Sequence, residues 1–153
     1  MSAPAVHSKP VRLAHAALLA CVDRDWPKAE RFLQRLNAEC PGPGLGDALV
    51  GWCDALAEHA NDGPPEFGKV RIFEINQDTG AKLTELTPQQ QWCNRLIVAR
   101  AAGDRDAFVA LLDELNAIGD GMERGTYAVC LVQAVAGTMR ILPRGYARMG
   151  GAR

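Results

Sequence analysis

Apolar residues recur along most of this chain at the three-and-four spacing of one helical face. The clearest case is Pro88 to Ala117, PQQQWCNRLIVARAAGDRDAFVALLDELNA, which reads as two amphipathic helices joined by a tight turn. In its second half Phe108, Leu111, Leu112, Leu115 and then Ile118 share a face, with Asp113, Glu114 and Asn116 opposite. Asp104 is placed to cap that helix, and Gly103 before it ends the preceding one without a Cβ clash. The same spacing predicts a first helix over Val11–Val22, a second from about Pro27 to Cys40, and a third from Gly46 to Ala60. A fourth is expected over Gln89–Ala102, opened by Thr87 and Pro88. A sixth, from about Glu123 to Arg140, has a centre apolar almost all round, as suits the central helix of a bundle.

One stretch breaks this pattern. Lys69 to Ile75 is rich in β-branched and aromatic residues, NQDTG reads as a turn, and Ala81 to Leu86 can return as a second strand. The expected fold class is therefore mainly α, about six amphipathic helices in a bundle, with one β-hairpin inserted at about 69–86. Val70, Ile72 and Glu74 alternate with Arg71, Phe73 and Ile75, so both hairpin faces carry apolar groups. A single helix layer cannot cover both, which makes Ile72, Phe73 and Ile75 candidate anchors for a protein partner or a second copy of the chain.

A shift of 79 positions lays Asp25 on Asp104, Phe32 on Leu111, Leu33 on Leu112, and Leu36-Asn37-Ala38 on Leu115-Asn116-Ala117. A duplicated three-helix unit would leave this trace; so would any two helical hairpins with short turns and an Asp cap. The expected organisation is a flexible lead over 1–10, a single helical domain over 11–142, and a flexible basic tail over 143–153. Within the domain, 11–60 and 87–142 are the two three-helix units and 61–86 the loop and hairpin between them.

The chain has 153 residues, enough for one core without disulfides or metal, and its 48% hydrophobic and 23% charged composition is that of a globular domain. A formal net charge of −1 leaves any electrostatic partner to a local patch. No apolar run approaches the length of a membrane helix and no signal peptide is read, so no membrane partner is expected. Cys21, Cys40, Cys53, Cys93 and Cys130 are spread one to a segment on apolar faces, which suits a reducing cytoplasm. They are expected to stay unpaired and to label slowly until unfolding. The abundance of Arg over Lys, with much Ala and Gly, points to a bacterial or phage genome.

Candidate chemistry is sparse. Asp78-Thr79-Gly80-Ala81 has the letters of an aspartic protease loop without the apolar residues before it, and reads as a hairpin turn. Gly42, Gly44 and Gly46 precede a helix, but they follow a helix rather than a strand and lack a P-loop Lys. His7, His15 and His59 do not pair at ligand spacing. No catalytic residue, metal ligand or cofactor site is read. Beyond Arg124 no acidic residue occurs, and Arg144, Tyr146 and Arg148 form a basic, aromatic tail suited to docking on protein or nucleic acid. The leading reading is a non-enzymatic protein–protein interaction or regulatory protein. The alternatives are a nucleic-acid-associated accessory protein using the Arg-rich tail and a small-molecule sensor with an interhelical apolar pocket.

Overall fold

The computed structural model describes residues 8–40, 43–63 and 86–147. These form six helices: α1 Lys9–Val22, α2 Trp26–Glu39, α3 Pro43–Asn61, α4 Pro88–Ala102, α5 Arg105–Asn116 and α6 Gly121–Ile141. The expected fold class is corrected in one respect, for the described residues contain no strand and are all-α. The hairpin segment at 69–86 lies outside the described residues except for Leu86, which belongs to a bend leading into α4. β-branched text records a propensity only, and two strands with no sheet to join gain little in water.

Four of the six helices, α2, α4, α5 and α6, start where a side chain accepts from an orphan amide of the first turn. Asp25 accepts from the Lys28 amide at 3.2 Å and Asp104 from the Ala107 amide at 3.1 Å. Thr87 and Gln90 form a reciprocal capping box, with bonds of 3.1 and 2.9 Å. Asp120 accepts from the Met122 amide at 2.9 Å. The glycine-rich run expected as a loop instead supplies the first turn of α3, three residues earlier than the apolar spacing indicated. Packing is the reason for the glycine at 44. A Cβ there would sit 2.7 Å from the Cys40 Cβ and 3.4 Å from the Pro10 ring, so only glycine lets α3 start this close to α1 and α2.

Moved on by 79 positions, α1, α2 and α3 fall on α4, α5 and α6 to within two residues at each end. The turns correspond bond by bond. The Asp25 amide donates to Ala20 O at 2.8 Å and the Asp104 amide to Ala99 O at 2.9 Å. Arg24 and Gly103, just before them, both adopt the left-handed conformation, with φ of 60° and 70°. The two halves interlock rather than sit side by side: α1 packs on α2, α3 and α6, while α4 packs on α5, α6 and α3. One core runs through both, with Trp52, Leu56, Leu96, Leu131 and Val135 at its centre. Leu36 and Leu115 are buried in it, and Leu112 packs at its edge. Among the described residues no helix is long and apolar enough to cross a membrane.

Candidate functional site

The sequence-derived contact residues separate into two groups. Ile72, Phe73, Ile75 and Arg148 lie outside the described residues. Arg144 and Tyr146, expected in a flexible tail, are placed on the end of α3. The Arg144 guanidinium reaches Asp62 at 2.6 Å and Glu58 at 3.3 Å. Tyr146 is 5% exposed and packs with Ala60, Ala147 and Leu142. Burial raises its hydroxyl above the usual tyrosine range, and its ring is covered rather than presented for stacking. The Gly145 amide donates to His59 O at 2.6 Å, and the His59 ring meets Leu142 O at 2.8 Å. Residues 142–147 therefore form a strap across the C-terminal turn of α3.

Sequence reasoning missed a cleft at the opposite end of α3. It lies where the C-terminal ends of α2 and α5 meet the N-terminal halves of α3 and α6, and has a volume of about 920 Å³. Leu36, Trp52 and Ala128 are buried beneath it. The Trp52 indole N–H is turned away to Ala14 O at 2.8 Å, so the cleft sees its carbon framework. One wall is α2 with its C-cap, from Glu30 to Cys40. The other is the first half of α6, where Met122, Gly125 and Val129 fall at the spacing of one helical face. Met122 is 84% and Val129 38% exposed, and a Cβ on Gly125 would meet nothing within 4 Å. There is thus open space at the glycine, with an apolar side chain on either side of it along α6.

Polar groups edge this apolar floor. Glu30, Gln34 and Asn37 stand along α2, and Asn116 and Asp120 close the far end. Arg124 also borders the cleft, but its guanidinium donates to Ile118 O and so fixes the α5–α6 turn. Glu30 and Asp120 put two acidic groups on the rim, beside the Arg124 guanidinium. A signal for the cleft was present in the sequence: Met122, Gly125 and Val129 leave an apolar stripe on a helix that was read as covered on several sides. Without the third dimension, that stripe is indistinguishable from core.

Among the described residues no group of three His, Cys, Asp or Glu side chains is placed to hold a metal ion. No family model, curated protein or solved structure matches the chain. Its own geometry is what bears on function.

Proposed function

We propose that the protein is an interaction module whose cleft takes an amphipathic helix of another protein. The observation that supports this is the exposed apolar stripe Met122, Gly125 and Val129 facing the α2 wall across a floor of Leu36, Trp52 and Ala128. From Glu30 to Cys40 the α2 wall advances ten residue steps, roughly 15 Å at 1.5 Å per residue, which matches about three turns of a bound helix. Such a ligand would seat apolar residues at i, i+3 or i+4 and i+7. A basic residue on its flank would meet Glu30 and Asp120. Met122 on the lip is unbranched and adaptable, as suits a surface that moulds to a helix.

A second reading, a small apolar ligand, is favoured by the volume itself, which falls within the roughly 300–1,000 Å³ of small-molecule sites. A photo-crosslinking residue at Gly125 distinguishes the two, since the open space there accepts a side chain. The same residue at Val109, an exposed position on α5, serves as control. In the cell that makes the protein, we expect a protein adduct at 125 and none at 109, with the crosslinked peptide amphipathic and helical. Equal adducts at both sites, or none at 125 together with thermal stabilisation by an apolar metabolite, would reject the helix in favour of chance contact or the small ligand.

A further inference from the structure

The side of α2 that faces away from the cleft carries a row of positive charge. Lys28, Arg31 and Arg35 recur at three-and-four spacing over roughly 10 Å of exposed helix, and exposed Arg24 stands at the head of the row in the α1–α2 turn. Glu30, Leu33 and Asn37, which border the cleft, repeat on the opposite side of the same helix. Exposed Trp26 falls in line with them, and Phe32 packs on the core, so the basic side presents no exposed aromatic ring. The carboxylates nearby are committed. Asp25 accepts from the Lys28 amide at 3.2 Å, while Glu39 holds the Arg35 fork at 2.8 and 3.3 Å and the Lys9 ammonium at 2.7 Å. Among the described residues no carboxylate, that of neighbouring Asp23 included, pairs with Arg24, Lys28 or Arg31.

The second half of the molecule shows that the fold does not require this charge. The positions 79 further on are Gly103, Ala107, Ala110 and Glu114, on a helix entered through the same turn bond and the same Asp cap. The contrast is sharpest in the turn, where φ is 60° at Arg24 and 70° at Gly103. One half uses the residue suited to left-handed backbone, and the other puts a long cation there under strain. A charge placed at a strained position and absent from its structural counterpart serves something other than the backbone.

From this row we infer that Arg24, Lys28 and Arg31 bind the phosphate backbone of a nucleic-acid duplex. A row of this length spans about three phosphates of one strand, at about 3.4 Å of axis each, and it offers three free cations. The two guanidinium forks suit phosphate oxygens. Single strands are held largely by bases stacked on aromatic rings, which this side of α2 lacks, so a duplex with its bases already stacked is the better fit. An acidic row on a second copy of the chain fits less well. At the matching positions of α5 only Glu114 is acidic, and Arg95 already reaches it at 3.5 Å. Contacts to the backbone carry no base sequence, and DNA and RNA duplexes share this chemistry.

The test uses the full chain and labelled duplexes of arbitrary sequence, one of DNA and one of RNA, with anisotropy read over a salt series. Three phosphate contacts give a slope of about −2.7 in log affinity against log salt, so affinity should fall about 40-fold between about 50 and 200 mM salt. Lys28→Gln combined with Arg31→Gln leaves one contact, and the fall should shrink to about fourfold. Arg24→Gly should bind more weakly than the parent yet melt higher, a pair of changes that loss of structure does not produce. Arg95→Gln combined with Arg105→Gln removes the same charge from α4 and α5 and should bind as the parent does. This pattern with either duplex supports the assignment, and the tighter duplex names the nucleic acid. Absence of binding to both duplexes at the lowest salt, equal weakening by the Arg95 and Arg105 pair, or parent-like binding by Arg24→Gly would overturn it. So would binding confined to single strands or anionic vesicles, or a self-association that the Lys28 and Arg31 variant abolishes.

Discussion

The two halves of the molecule share a turn and differ in what fills the space behind it. In the first half α1 offers Leu13, Ala14 and Ala17, α2 offers Ala29, and the indole comes from Trp52 on α3. In the second half the corresponding positions are Trp92, Cys93, Leu96 and Phe108, and the residue matching Trp52 is Leu131. Bulk has moved from the third helix of one unit to the first helix of the other. Both indole N–H groups still reach a carbonyl, Ala14 O at 2.8 Å and Leu111 O at 2.9 Å. The lesson is that the backbone route is set by caps and turns, which coincide, while the volume behind it can be supplied from either side.

The largest effect that can break this comparison is removal of the indoles. Trp52→Ala and Trp92→Ala should each lose about 3–5 kcal/mol in urea unfolding, through lost burial and the cavity left behind. If either loses less than about 1 kcal/mol, that indole is not what fills its half. A smaller effect tests the turns. Gly103→Ala should lose about 1 kcal/mol, because φ of 70° is strained for any residue with a Cβ. Arg24→Gly should gain up to about 1 kcal/mol by relieving the same strain at φ of 60°. Changes of the same sign in thermal melting would mean that the turns are not equivalent.

The smallest expected effect is a difference in acid response. Glu39 takes hydrogen bonds from Arg35 and Lys9, which lower its carboxyl to about 2, whereas the matching position in the second half is Ile118. A carboxyl lowered on folding contributes stability that is present above its unfolded value of about 4.5 and is lost as pH falls towards 2. The melting temperature of the parent should therefore exceed that of Glu39→Gln at neutral pH, and the gap should close over that acid window. A gap that is constant with pH would assign Glu39 a packing role instead.

What could be read in the sequence follows from range. Helix identity and the turn at Asp104 depend on residues three or four apart, and both were legible. The 79-residue correspondence was visible as letters, and its turn bonds became visible only with backbone coordinates. Helix starts were read too late at Gly46 and Glu123 because Gly and Pro count against a helix locally, while the cap at Asp120 and the fit of Gly44 against Cys40 and Pro10 settle the first turns. The hairpin was read from propensity without a partner, and all of it but Leu86 lies outside the described residues. The cleft was illegible because it joins helices from different parts of the chain. The packing of residues 143–147 was illegible for the same reason: nothing near Arg144 in sequence announces Asp62, 82 positions earlier.

That distance matters to how the fold is completed. The strap bonds Arg144 to Glu58 across 86 positions and to Asp62 across 82, and these contacts close the C-terminal turn of α3. A chain emerging from the ribosome presents α3 long before it presents the strap, so Ala60 and the carbonyl of His59 must wait, uncovered, until α6 has been made. The loop that must close is among the longest in the molecule, and its entropy has to be met before any strap contact repays it. The residues that read as a loose end are therefore the ones that let an early helix finish folding late.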